Sequence, residues 1–220
     1  ELGKSDQTHS VAREGGVYSP YHSRFFQGAT LVPRSLWFVE LVNPNIPSQS
    51  TPHVRTAREA KELAKAPWKV EVEGLIERQY LLGTVMAREL LPFVVRKLSM
   101  VVLPVKVSSS NHLTVINAEE ALSDGCVYAH DWFQNAEKIW NSRRKTESHT
   151  AFEWLNYDNK ITNQPFGAPY FVLFNQSGTN ISAALLTRDE MKHIYQVEIR
   201  GFVVDSKCYW YATQSADEAH

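Results

Sequence analysis

The 220-residue chain has little cysteine, no long apolar run and no surplus of either charge. Its two cysteines, Cys126 and Cys208, stand far apart and form no CxxC pair. A disulfide framework or a cysteine zinc site is therefore not expected. The 8 histidines include no HExxH and no His/Cys cluster, so a metal centre has no support. The longest apolar run, near Val101–Val105, is far short of the ~20 residues that span a bilayer. No signal-peptide pattern is present. These absences lead us to expect a cytoplasmic protein with no membrane partner.

Basic residues number 23 and acidic residues 24, a formal charge of −1. That excludes a wholesale polycation. It does not exclude a local basic patch, which is what nucleic-acid binding requires. Several catalytic signatures are also missing. There is no GxxxxGK[ST] loop to cradle phosphates. No GxGxxG follows a strand, and no GxSxG elbow is present. Glu59-Ala60-Lys61 has a nuclease-like Glu-x-Lys spacing, but no Pro-Asp partner precedes it.

What is there is an ordinary globular composition, 43% apolar, 21% charged and 11% aromatic. It excludes disordered, collagen-like and coiled-coil chains. The length suits one domain or two small ones. Residues 1–16 read as a polar lead-in, and 17–220 as the domain, with a lobe split allowed near residue 110. Ala29–Val42 is β-rich, and Pro33 should break it into two short strands or an edge strand. Residues 43–53 hold three prolines and read as a loop. Thr56–Lys65 reads as a short exposed helix or a strand-flanking insert. Trp68–Glu73 alternates and predicts a strand. Ser99–Val105 predicts a short buried strand stopped by Pro104.

Asn117 should cap a helix that starts before Glu119 and Glu120. Trp132, Phe133, Ala136, Ile139 and Trp140 recur at spacings of three and four, which predicts an amphipathic helix over 130–145. Ala151–Asn163 reads as helix then loop, and the chain beyond Tyr170 as strands. The expected class is α+β: a mixed or antiparallel sheet with packed helices. The chain opens at Glu1 and stops at His220 as another helix begins, so it reads as a piece of a longer polypeptide.

Four stretches carry a resemblance when taken in order. They are RFFQGATLVPRSLWFV from Arg24, YLLGTVMARELLPFVVRKLSMVVLPV from Tyr80, WLNYDNKITNQ from Trp154, and GFVVDSKCYWYATQSADEAH from Gly201. This series resembles the C-terminal target-recognition region of N6-adenine DNA methyltransferases. The nearest type is the large single-chain restriction–modification and phage-defence methylases. The resemblance spans roughly residues 17–220. It implies a reader of double-stranded DNA attached to an upstream methyltransferase domain. That domain would hold S-adenosylmethionine and an Asn-Pro-Pro-Tyr-type motif. This chain has no such motif, so it should bind no cofactor and transfer no methyl group itself. Two other readings stay open: part of the methyltransferase or nuclease core, and a protein-docking module of the same system.

A DNA reader needs cations, amides and hydroxyls on phosphates, and a few planar groups on base edges. The Tyr18–Arg34 segment mixes these types, with Tyr18, Tyr21, His22 and Ser23 beside the main candidates. Arg24, Gln27 and Arg34 are those candidates, and Gly28 would let backbone approach a partner. The amide-rich stretch adds Asn156, Tyr157, Lys160 and Gln164. Arg143, Arg144 and Lys145 form the densest basic run and suit phosphate anchoring. On this reading Arg24, Arg34 and Arg143–Lys145 line one side, with the carboxylates elsewhere. The tryptophans other than Trp210 are expected in the core. Trp210 lies in an alternating run between Tyr209 and Tyr211, where one side of the strand should stay exposed.

Overall fold

The computed structural model describes residues 21, 23–44, 50–177, 182–194 and 197–220. Tyr18, His22 and the lead-in fall outside the described residues. The strands in the first half are β1 (Phe26–Gln27), β2 (Phe38–Leu41), β3 (His53–Thr56), β4 (Glu73–Leu75) and β5 (Leu81–Thr84). They continue as β6 (Leu90–Leu91), β7 (Val94–Val95), β8 (Ser99–Val102), β9 (Val105–Val107) and β10 (Leu113–Val115). The second half adds β11 (Tyr170–Asn175), β12 (Ala183–Thr187), β13 (His193–Ile194), β14 (Val197–Glu198) and β15 (Cys208–Thr213). The helices are α1 (Arg34–Trp37), α2 (Arg58–Leu63), α3 (Ala118–Ser123), α4 (Val127–Arg143), α5 (Ala151–Leu155) and α6 (Ala216–Ala219).

The fold is α+β. One sheet has five strands in the order β4-β3-β2-β8-β5, and another has four in the order β1-β15-β11-β12. Every ladder between named strands is antiparallel. Among the described residues, parallel pairing is confined to two isolated bridges, Ala29 with Asp205 and Gly83 with Phe202.

Local sequence explains most of these elements. In α3, Asn117 accepts from the Glu120 amide while the Glu120 carboxylate accepts from the Asn117 amide. That reciprocal cap satisfies two otherwise orphaned donors. In α4 the apolar stripe lies inward: Trp132, Phe133, Ala136 and Trp140 are buried, and Ile139 packs against them. Full burial of Phe133 alone contributes about 2 kcal/mol. In β11, Phe171 and Leu173 point into the core while Tyr170, Val172 and Phe174 stay half-exposed, the period of two that a strand imposes.

Three expectations are corrected. Between Ala29 and Val42 the chain inserts the helical turn α1 ahead of β2, and the Leu36 amide donates to the Pro33 carbonyl. Residues 68–72 alternate in burial but do not pair as a strand. The reason is the end of β3: the Thr56 amide donates to the Val72 carbonyl, and the Thr56 hydroxyl accepts from the Val72 amide. The strand 208–213 also differs from its expectation. Trp210 is buried in the core at 5% exposure, and Tyr211 is buried too, so Tyr209 alone of the three stays half-exposed.

The molecule has two apolar cores. The larger lies between the five-stranded sheet and α3–α5, around Trp37, Tyr80, Phe133 and Leu155. The smaller lies under the four-stranded sheet, around Phe171, Leu173, Phe202 and Trp210. Both draw on residues before and after 110, so a split there does not separate them. Residues 199–208 join the two. The Gly83 amide donates to the Gly201 carbonyl and the Val203 amide to the Gly83 carbonyl, which extends the β5 edge. Next, the Ala29 amide donates to the Val204 carbonyl and the Ser206 amide to the Ala29 carbonyl. The candidate interface sits on this seam.

Candidate nucleic-acid interface

Gln27 is the hub. Its Nε2 donates to the Ser206 carbonyl at 3.1 Å, and its Oε1 accepts from Lys160 Nζ at 2.9 Å. The β1 segment thereby meets the 156–160 loop. Asn156 holds that loop in shape, since its Oδ1 accepts from the amides of Ile161 and Thr162. Asp158 and Asn159 both adopt left-handed backbone, with φ of 55° and 57°. Asp and Asn tolerate that region better than most residues, which is why this loop can turn so tightly. Tyr157 stands out of it, 43% exposed.

Tyr157 ends an aromatic series. Its ring lies 5.8 Å from Trp154 and 5.9 Å from His149. Trp154 lies 6.1 Å from Trp140, which lies 5.3 Å from Trp68. The basic run joins this series through one carbonyl. Both Arg144 Nη1 and Trp140 Nε1 donate to the His149 carbonyl at 2.9 Å. Arg143 donates to the Pro67 carbonyl beside Trp68. Lys145 is exposed, with no ion pair among the described residues. The C-terminal end of α4, where cations also suit the helix dipole, is thus flanked by half-exposed rings.

Arg34 and Arg24 are occupied differently. Arg34 Nη2 lies 3.1 Å from Asp205 Oδ1, and the Asp205 side chain is fully buried. Burial pushes the Asp205 carboxyl up, and the Arg34 guanidinium opposes that push. The Lys207 amide donates to the same carboxylate at 3.0 Å. Arg34 also lines a groove of about 320 Å³ with Phe38, Met100 and Trp68. Its Nε is buried there without a hydrogen-bond partner. Arg24 donates to Glu218 at 2.9 Å and lies 4.7 Å from the centre of the Tyr211 ring. The Thr213 and Tyr211 hydroxyls and Arg24 together hold the Glu218 carboxyl below its usual range.

The structure therefore brings most of the sequence-selected residues into one network. Arg144 and Tyr157 both meet His149, the Lys160 amide donates to the Tyr157 carbonyl, Lys160 Nζ bonds Gln27, and Gln27 bonds Ser206, whose neighbour Asp205 holds Arg34. Two selected residues are corrected. Gln164 is 2% exposed and spends its amide on the fold. Its Oε1 accepts from the Val204 amide at 2.7 Å, and its Nε2 donates to the Val204 and Lys160 carbonyls. Gly28 is close to backbone, but to this chain's own. A Cβ there would stand 2.3 Å from the Asp205 carbonyl oxygen and 2.4 Å from that of Val204. The expected separation of charge is also not met, because Arg24 and Arg34 each face a carboxylate.

Sequence reading missed Asp205, His149 and the role of Trp154 beside Tyr157. The WLNY stretch carried a hint, with two aromatics three residues apart at a helix end. Asp205 gave none, because its partner is 171 residues away.

No family model and no curated protein matches the chain. Among the described residues no helix is long and apolar enough to cross a membrane, and no group of His, Cys, Asp or Glu is arranged to hold a metal ion.

Proposed function

We propose that this chain is a DNA target-recognition module that selects the site for an attached adenine-N6 methyltransferase of a restriction–modification or defence system. It acts in the cytoplasm on double-stranded DNA. S-adenosylmethionine belongs to the catalytic domain, which would flip and methylate the base. The observation that supports the reading is the network of Arg143, Arg144, Tyr157, Lys160 and Gln27, with the exposed Lys145 next to it in sequence. It joins cations, an exposed aromatic and an amide, the mixture that phosphate anchoring and base-edge contact require.

The cations divide by role. Lys145, Arg144 and Lys160 supply charge to phosphates. Gln27 is half-exposed with its Oε1 on Lys160 and its Nε2 on Ser206, so it offers adenine its second amide hydrogen and its second oxygen lone pair. Arg34 is held by Asp205 and sets the seam behind that amide.

The test is modification mapping by single-molecule sequencing of genomes with and without the full-length gene. A methylated adenine in one sequence context is expected. Tyr157→Ser with Lys145→Ala should lower site methylation, since both side chains are exposed and neither anchors the core. Removing one phosphate-binding cation should also reduce the salt slope of binding by about 0.9. Unchanged methylation and an unchanged slope would remove this face from the DNA.

A further inference from the structure

The hairpin β6–β7 carries a feature that neither core explains. Leu90 pairs with Val95 and Leu91 with Val94, leaving Pro92 and Phe93 as the two turn residues. Phe93 has a φ of 67° and is 93% exposed. The second turn position after a proline wants glycine or asparagine when φ is positive. A phenylalanine there strains its backbone and buries nothing on this chain. Leu91 and Val94 add 41% and 50% exposed side chains beside it.

The tip is apolar, but it is held in place. Leu90 is buried in the smaller core. The Phe93 amide donates to the Ala183 carbonyl at 2.7 Å, so the turn is fastened to the outer edge of β12. Below the tip, Glu89 is nearly buried and accepts from Arg96 at 2.7 Å and Arg88 at 3.3 Å. Arg96 and Lys97 are exposed cations that follow the tip in sequence.

We propose that Phe93 is a wedge that enters a base-pair step of the bound DNA. This inference rests on the DNA-recognition reading and deepens it. Charge chooses the occupant: the exposed apolar tip is followed by two exposed cations, Arg96 and Lys97, which suit a phosphate backbone. A single projecting Phe is the kind of side chain that unstacks one step and bends a duplex. Arg96 and Lys97 then meet the flanking phosphates.

Register gives the wedge its place. Gln27 pairs with Tyr209, Tyr209 with Phe174, and Phe174 with Ala183, which forms one row across the four-stranded sheet. Phe93 continues that row beyond Ala183. Four strand spacings of about 4.8 Å put the wedge roughly 19 Å from Gln27. At ~3.4 Å per base pair that is between five and six steps, about half a turn of duplex.

The experiment uses the full-length protein and a duplex carrying the site found by modification mapping. 2-Aminopurine is placed at successive positions, and affinity is read alongside its fluorescence. With wild type, one step five or six pairs from the Gln27 contact should brighten on binding. Phe93→Gly relieves the positive φ, so its melting temperature should equal or exceed wild type. It should nonetheless bind about tenfold more weakly and abolish the brightening, while Phe93→Trp keeps both. Wild-type affinity and fluorescence in Phe93→Gly would overturn the wedge while leaving DNA recognition standing. Abolished methylation with unchanged DNA binding would also overturn it, and would assign the tip to a protein contact. No DNA binding by wild type would overturn the wedge and the recognition reading together.

Discussion

Gln164 is buried across the seam from the proposed DNA face, and its removal tests whether the seam positions that face. Its amide makes three hydrogen bonds, to both backbone groups of Val204 and to the Lys160 carbonyl. Gln164→Leu keeps the volume and deletes all three. The Val204 carbonyl retains a donor in the Ala29 amide, so it is not orphaned. The Val204 amide has no such second partner among the described residues. One orphaned buried amide together with the missing bonds amounts to about 3 kcal/mol. For a protein of this size that is a fall in melting temperature of roughly 6–12 °C.

Gln164→Glu refines the test. The carboxylate can still accept from the Val204 amide, but it faces the Val204 and Lys160 carbonyls without a proton. Burial raises the folded pKa of such a carboxyl above its unfolded value of about 4.3. The variant should therefore approach wild-type stability below about pH 4, where a proton restores a donor. It should lose stability as pH rises through the raised folded value. Thermal denaturation by circular dichroism between about pH 3 and pH 8 reads both variants. A Gln164→Leu melting temperature within about 1 °C of wild type, or a pH-independent deficit in Gln164→Glu, would refute the reasoning.

Arg34→Ala leaves the fully buried Asp205 carboxylate unpaired, at a cost of about 3 kcal/mol near neutral pH. The Asp205 carboxyl is already raised by burial. The deficit should therefore shrink as pH falls toward that raised value, and urea denaturation at pH 5 and pH 8 would show it. Asn117→Ala removes the α3 cap and should cost about 1 kcal/mol in the same assay. Burial pushes the Cys208 thiol up to about 12. At pH 8 it should resist iodoacetamide until the chain unfolds, which mass spectrometry of labelled peptides would report.

Much of the fold is written in local sequence. The α4 stripe, the Asn117 cap, the burial alternation of β11 and the α+β class all follow from periodicity and capping, which act over a few residues. The sheet pairing was not readable, because β1 and β15 meet through residues such as Gln27 and Tyr209 that are 182 positions apart in the sequence. Residue type likewise marked Tyr157, Lys160, Arg144 and Gln27 as fit for DNA, but type cannot say where a side chain points. Gln164 looked equal to Gln27 in sequence. Tertiary packing turned Gln164 inward to satisfy Val204 and left Gln27 at the seam's edge beside Lys160.

The same division holds for the β6–β7 tip. By sequence alone, Leu91-Pro92-Phe93-Val94 is a short apolar stretch, compatible with a buried core. Only the three-dimensional structure decided that Leu90 is the buried anchor and Phe93 the exposed tip. The physical reason is general. Composition and periodicity set which groups can be buried, whereas long-range backbone hydrogen bonds, such as Phe93 to Ala183, set which ones are.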